Sequence, residues 1–312
     1  MMKLALSLAI SPYDHARDLR PQGIDLTVLD LPIEEIFHRF TRWREFDVSE
    51  MSLGKVVSIL SQPHPDIIAI PVFPSRVFRH SAIYTKLATP KDLEGKRVGI
   101  PEWAQTAGIY VRGLLQHEYG VDLRRIEWIQ AGVRQPGRIE KVELKLPQGV
   151  RITPAPDKTL AGMLASGELD AAISARDPGG PRLFRNYLEI EEAYWLKTRI
   201  FPIMHVVVLR REVYERDRWV AMNLFKAFEQ AKRASQERLV EIGISHLPMP
   251  WLAEHARRWR EAAGEDFWPY GIEASRATLE AFLQYAHEQG VATRRLKVEE
   301  LFAPETLERA KI

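Results

Sequence analysis

Apolar and polar positions along the chain switch between two rhythms. "KLALSLAI" (3–10) is a short apolar run closed by Ser11-Pro12, and "IDLTVLDL" (24–31) alternates with the period of two of a strand. Pro32 then suits the first position of a helix, "PIEEIFHRFTRW", with apolar residues at helical spacing. "FDVSEMSLGKVVSIL" follows, where Ser49 or Ser52 can cap a helix presenting Leu53, Val56, Val57 and Leu60 on one face. "DIIAIPVF" (66–73) predicts a third strand. The alternation resumes with a strand at 96–100, a helix from about 106 to 119 and a strand at 125–132. "DKTLAGMLASGELDAAIS" (157–174) reads as helix, glycine-bounded turn and short strand. "IFPIMHVVVLRR" (200–211) is a long apolar strand. From Tyr214 onward the pattern is helical, broken at "HLPMPW" and "DFWPYGI".

Strands alternating with helices predict parallel sheets covered by helices on both faces. Two such blocks, roughly 3–73 and 96–174, are separated by the extended piece 77–88. With the return strand near 200, this predicts a two-lobed α/β fold with a cleft between the lobes. Lobe one is expected to comprise 1–82 and 203–312, and lobe two 83–202. Ligands of such sheets sit outside the carboxyl ends of the strands.

Composition narrows the partners. The 312 residues suit two lobes, and 46% hydrophobic with 28% charged residues is the make-up of a soluble globular protein. With 44 basic and 42 acidic side chains the formal net charge is +2, which gives no overall field for nucleic acid or an anionic membrane. A binding site for an anion must be local. Cysteine is absent, which excludes disulfides and thiolate nucleophiles. "MMKLALSLAI" has a short apolar run, but no small-residue cleavage site follows, so it reads as a strand and a cytoplasmic protein is expected. No apolar stretch approaches the roughly 20 residues of a membrane span.

Candidate chemistry collects on the loops after the strands. "SPYDHAR" carries His15, "VSEMS" ends in Ser52 at a helix start, and "PEWAQTAG" places Gln105 and Thr106 at another. Helix starts favour anions through their free amides and positive dipole end. "PVFPSRVFRHSAIY" holds Ser75, Arg76, Arg79 and His80 between aromatics, and "AGVRQPGR" adds Arg134 and Arg138. Arginine forks pair bidentately with carboxylates, so two opposed helix starts and several arginines point to a ligand with two of them. His205 lies within the return strand, and Tyr270 in "FWPYG" is placed to wall the pocket. The chain has no H-x-x-x-H, G-x-S-x-G, P-loop or strand–GxGxxG–helix unit, so neither a metal nor a nucleotide cofactor is expected.

"FDVSEMSL", "PVFPSRVFRHSAIY", "DLEGKRVGIPE", "QPGRIEK", "TLAGMLASGELDAAISAR", "IFPIMHVVV" and "WPYGIEASRATLEAFL" resemble, in order and over nearly the whole chain, the 4,5-dihydroxyphthalate decarboxylase family. That resemblance implies a type 2 periplasmic-binding-protein-like fold. It also implies cofactor-free removal of one ring carboxylate from a hydroxylated aromatic dicarboxylate, giving protocatechuate. His15 or His80 is then the expected acid, with His205 a third histidine at the site, and Arg76 with Ser52 or Thr106 the carboxylate anchor. The expected partner is the small aromatic dicarboxylate, and a homo-oligomer is allowed. Three stretches depart from the family pattern. Tyr13-Asp14-His15-Ala16 stands where the family has Tyr-Asp-Arg-Thr, Trp103-Ala104 replaces Tyr-Gln, and Arg134-Gln135 replaces acidic residues. The competing reading is a non-catalytic solute-binding or sensor protein on the same fold.

Overall fold

The apolar runs become the strands of two separate five-stranded sheets in the computed structural model, which describes residues 3–307. In chain order the strands are β1 (Leu4–Ile10), β2 (Ile24–Asp30), β3 (Val48–Ser52), β4 (Ile67–Arg76) and β5 (Ile83–Thr85). They continue with β6 (Arg97–Ile100), β7 (Glu127–Gly132), β8 (Ile152–Thr159), β9 (Ala171–Ile173) and β10 (Ile203–Arg210). The first sheet is ordered β2-β1-β3-β10-β4 and the second β5-β9-β6-β7-β8. β1 pairs in parallel with β2 and β3, whereas β10 runs antiparallel between β3 and β4. The second sheet is parallel from β9 to β8, with β5 antiparallel at its edge.

The helices are α1 (Ile33–Trp43), α2 (Leu53–Leu60), α3 (Thr106–His117), α4 (Leu160–Ser166), α5 (Tyr187–Thr198), α6 (Arg211–Arg216), α7 (Trp219–Val240), α8 (Leu252–Ala263) and α9 (Arg276–Glu288). α1 is amphipathic: Ile36 and Phe40, one turn apart, enter the core, and Arg44 ends the helix in the left-handed conformation. α2 is apolar on nearly every side and correspondingly buried along its length. Among the described residues no helix is long and apolar enough to cross a membrane.

The main difference from the sequence expectation is β3, which occupies 48–52 where a capped helix start is the simpler reading. Its Ser49 and Glu50 are fully buried, so a central strand carries polar residues that break the apolar pattern. The helix expected from 157 begins instead at Leu160. Pro154 and Pro156 favour an extended edge strand, and the Thr159 hydroxyl accepts the Gly162 N–H at 3.1 Å to start α4.

The chain crosses between the sheets twice, and the crossings lie side by side: the Val77 N–H donates to the Pro202 carbonyl at 3.1 Å. α7 packs on β4, while α9 reaches both α2 and α3. The α3–α9 contact is close, since a Cβ on Gly113 would fall 2.2 Å from the Tyr285 ring. Buried Arg112 of α3 stacks on Trp103 at 3.8 Å and donates to the Gln289 side-chain oxygen at 2.8 Å.

Candidate functional site

Residues at or just beyond the carboxyl ends of β3, β4, β6, β7 and β9 line one cavity of about 230 Å³, together with the first residues of β10. This is where open α/β sheets bind ligands, and the volume suits a single ring. Five basic side chains line it (Lys55, Arg79, Arg138, Lys141 and Arg176) against two carboxylates, Glu34 and Glu102. A larger groove of about 630 Å³ beside α7 lies away from these strand ends, and its charges are spent locally, as in the 3.1 Å Arg233–Glu229 pair.

The seam between the sheets runs along one side of the cavity. The Ser52 and Thr106 hydroxyls lie 2.9 Å apart, and the Gly54 N–H donates to Thr106 Oγ1 at 2.9 Å. A Cβ on Gly54 would meet the Ala104 carbonyl oxygen at 2.5 Å, so only glycine permits this approach of α2 to α3. The two opposed helix starts, expected to help hold a ligand with two carboxylates, are tied to each other in this structure.

Antiparallel β10 brings His205 to these strand ends, in register with Ser52 on one side and Ser75 on the other. His205 Nδ1 lies 2.6 Å from Glu50 Oε1. Glu50 also accepts the Tyr13 hydroxyl at 2.6 Å and the Ser11 N–H at 3.0 Å, so its buried carboxylate is well supplied with donors. Burial, and then the Glu50 charge, push the Tyr13 hydroxyl's pKa up, which keeps it a donor. Glu50 therefore accepts a hydrogen bond from the Nδ1–H of His205 and leaves Nε2 as the nitrogen for the cavity. The His205 side chain is 19% exposed, and Phe37 meets its ring edge-on at 5.0 Å.

Most cavity cations are already paired. Glu102 takes Arg138 at 2.6 Å and Lys141 at 3.7 Å, and Glu34 takes Arg138 at 3.4 Å and Arg176 at 3.2 Å. Two are not. Arg79 donates its Nε to Met204 Sδ at 3.1 Å, and burial pushes its pKa down to about 10. Lys55, 6% exposed in the first turn of α2, has no hydrogen-bond or ion-pair partner among the described residues. Gln105 Oε1 is buried without a partner. No group of three or more His, Asp or Glu side chains among the described residues is arranged to hold a metal ion.

Of the residues singled out in the sequence, Ser52, Arg79, Gln105, Thr106, Arg138 and His205 line this cavity. Arg76 does not. It is buried between Phe73 and Phe201, donating to the Phe201 and Pro269 carbonyls and to Ser275 Oγ at 2.7–2.9 Å, so it binds chain segments together. His80 packs edge-on against Phe184 and Tyr194 with both ring nitrogens unpartnered, and desolvation pushes its pKa down to about 4. A neutral histidine sealed in this way is poorly suited to donate a proton. His15 bonds the Pro74 carbonyl at 2.9 Å beside Tyr13 and Trp268, and burial lowers its pKa. Ser75 sits beside His205 in the sheet, outside the cavity lining. Arg134 is exposed and donates to the Asp177 carbonyl, and Tyr270 is buried under Lys232. Glu50 and Lys55 were not singled out. The available signal was the same for both: one charge inside an otherwise buried element.

Aligned over 330 positions that cover all of both chains, this protein is 37% identical to 4,5-dihydroxyphthalate decarboxylase from Comamonas testosteroni. The chain belongs to the 4,5-dihydroxyphthalate decarboxylase family. Another relative of that name, from Pseudomonas putida, is 40% identical over 188 residues, covering 57% of this chain and 73% of that protein. No family model matches. In fold, this family member is similar to the periplasmic aliphatic sulphonate-binding protein SsuA from Escherichia coli. The TM-score is 0.53 at 11% identity, with 97% of this chain and 99% of that one covered. It is also similar to a conserved Candida albicans gene product with the generic periplasmic-binding-protein fold, with a TM-score of 0.51 at 12% identity and coverage of 95% and 93%. The expected two-lobed, periplasmic-binding-protein-like α/β fold is therefore the fold of this 4,5-dihydroxyphthalate decarboxylase family member. Of the positions that depart from the family pattern, His15, Trp103 and Arg134 lie outside the cavity lining, and Ala104 is part of it.

Proposed function

We propose that this protein is a carboxy-lyase that converts 4,5-dihydroxyphthalate to protocatechuate and CO₂. The observation that carries the reading is His205, held by buried Glu50 and turned to a cavity with the unpaired Arg79. Family membership supplies the substrate class; of the departures from the family pattern, His15, Trp103 and Arg134 lie off the cavity, and Ala104 is the one that lines it. In this reading lobe one is 1–82 with 203–312 and lobe two 83–202. The protein works in the cytoplasm, and copies of the chain can associate.

Arg79 holds a ring carboxylate, and the Gln105 side-chain oxygen accepts a phenol O–H. His205 Nε2 delivers its proton to the ring carbon bearing the departing carboxylate. The phenol para to that carbon feeds electron density into the ring as the new C–H bond forms. The C–C bond then breaks, its electron pair restores the aromatic ring, and CO₂ leaves. Glu50 stabilises the imidazolium before transfer, and solvent returns one proton to His205 per turnover.

The test is to incubate purified protein with 4,5-dihydroxyphthalate, isomeric hydroxyphthalates and phthalate, and to quantify CO₂ and the aromatic product. The expected result is equimolar CO₂ and protocatechuate from 4,5-dihydroxyphthalate, with none from phthalate, which lacks the activating phenol. Tight binding across the panel with no CO₂ overturns the enzyme reading in favour of a solute-binding protein.

A further inference from the structure

Burying an ammonium group without a partner is costly, and proteins rarely leave one so unless something else supplies the anion. Lys55 comes close to that position: the residue is 6% exposed, lines the cavity and has no hydrogen-bond or ion-pair partner among the described residues. The carboxylates around it are already engaged: Glu102 carries Arg138 and Lys141, and Glu140 accepts the N–H groups of Trp103 and Ala104 at 2.6 and 3.2 Å. Position adds a second constraint. Lys55 follows Gly54, whose N–H is fixed to Thr106, so the root of its side chain is anchored at the seam of the cavity.

We infer that Lys55 is the specificity-determining residue that makes this cavity prefer an aromatic ligand with two carboxylates over one with a single carboxylate. Arg79 and Lys55 then hold one carboxylate each, and loss of CO₂ removes one of the two attractions and helps the product leave. This rests on reading the cavity as the aromatic-acid site, but it does not require turnover. Desolvation pushes the Lys55 pKa down to about 8, while Glu102 and Glu140 favour its charge and Lys141 and Arg138 oppose it. Arg79, His205, Glu34 and Arg176 complete the charged or titratable groups that line the cavity with it. A bound carboxylate favours the ammonium form, so a two-carboxylate ligand should draw a proton onto Lys55 above pH 8.

Phthalate and benzoate differ by one carboxylate and lack the activating phenols, so their binding can be measured without decarboxylation. Calorimetry on the intact wild type should show phthalate bound more tightly than benzoate. Above pH 8 phthalate should also take up more protons, read from the dependence of the heat on buffer ionisation. Lys55→Met should weaken phthalate roughly 30-fold or more and leave benzoate nearly unchanged. Equal losses for the two ligands, or equal proton uptake by the wild type, overturn the inference. The proton-uptake measurement decides alone where the variant does not fold. Should the wild type make protocatechuate while folded Lys55→Met binds phthalate normally, this inference fails and the decarboxylase reading stands. Discrimination between the ligands without any CO₂ release gives the reverse.

Discussion

His205 and His80 are each close to a glutamate in the interior, and the surroundings make them different groups. His205 sits 2.6 Å from Glu50, whose carboxylate is steadied by Tyr13 and Ser11, and its ring remains partly open to the cavity. His80 sits 3.9 Å from Glu191 with a side chain only 3% exposed, too far for a hydrogen bond and too enclosed for water to replace one. Desolvation therefore dominates at His80 and holds it neutral at physiological pH. A histidine near a carboxylate becomes a proton donor when one nitrogen is anchored and the other has somewhere to deliver. His205 has both and His80 has neither.

Substitutions can break this contrast, beginning with the largest effect. His205→Gln keeps a hydrogen-bonding side chain but no transferable proton, and kcat on 4,5-dihydroxyphthalate should fall roughly 10²–10⁴-fold with a much smaller change in KM. A fall below about tenfold would place the acid elsewhere. Glu50→Gln removes the charge behind the ring while keeping its shape. A lost charge-assisted hydrogen bond should lower kcat roughly 10–10²-fold, again with KM little changed, since Glu50 acts through His205. A proportionate rise in KM would show instead that Glu50 only shapes the pocket.

His80→Phe should leave kcat essentially unchanged and alter acid stability. Its pKa is about 4 in the folded protein against an ordinary value near 6.5, so between those pH values the unfolded chain holds the proton and the folded chain does not. Wild-type stability is therefore lost as pH falls from about 6.5 to about 4, with no further loss from this group below that, a total of roughly 3 kcal/mol. Denaturant titrations from pH 7 to pH 4 should show a flatter acid side for the variant. Parallel curves would mean that His80 does not govern that range.

The periodic strands and helices were readable because their inward positions are apolar: β1, β2, β4, β6, β7 and β10 all declare themselves. β3 did not, because Ser49 and Glu50 interrupt its pattern, and the residue that hid the strand is the one that positions His205. Lys55 was overlooked for a related reason, since a lone lysine on a short helix is ordinarily a solvent-facing charge. Arg76 shows the opposite limit. Its sequence setting marked it as an anion anchor, yet two carbonyls and a hydroxyl occupy its guanidinium. Sequence can bring a residue to the end of a strand, but which partner occupies it depends on chain segments more than a hundred positions away.

β10 lies between β3 and β4, and neither of those strands is paired with the other. During synthesis the first sheet therefore stays open along its centre until residues 203–210 have emerged, after all of the second sheet. Until then Glu50 has no histidine beside it and the inner edges of β3 and β4 are bare, the kind of exposed edge that invites mispairing. A nascent chain halted before residue 203 should thus be both inactive and prone to aggregate, so that the last strand to arrive closes the sheet and completes the Glu50–His205 pair in one event.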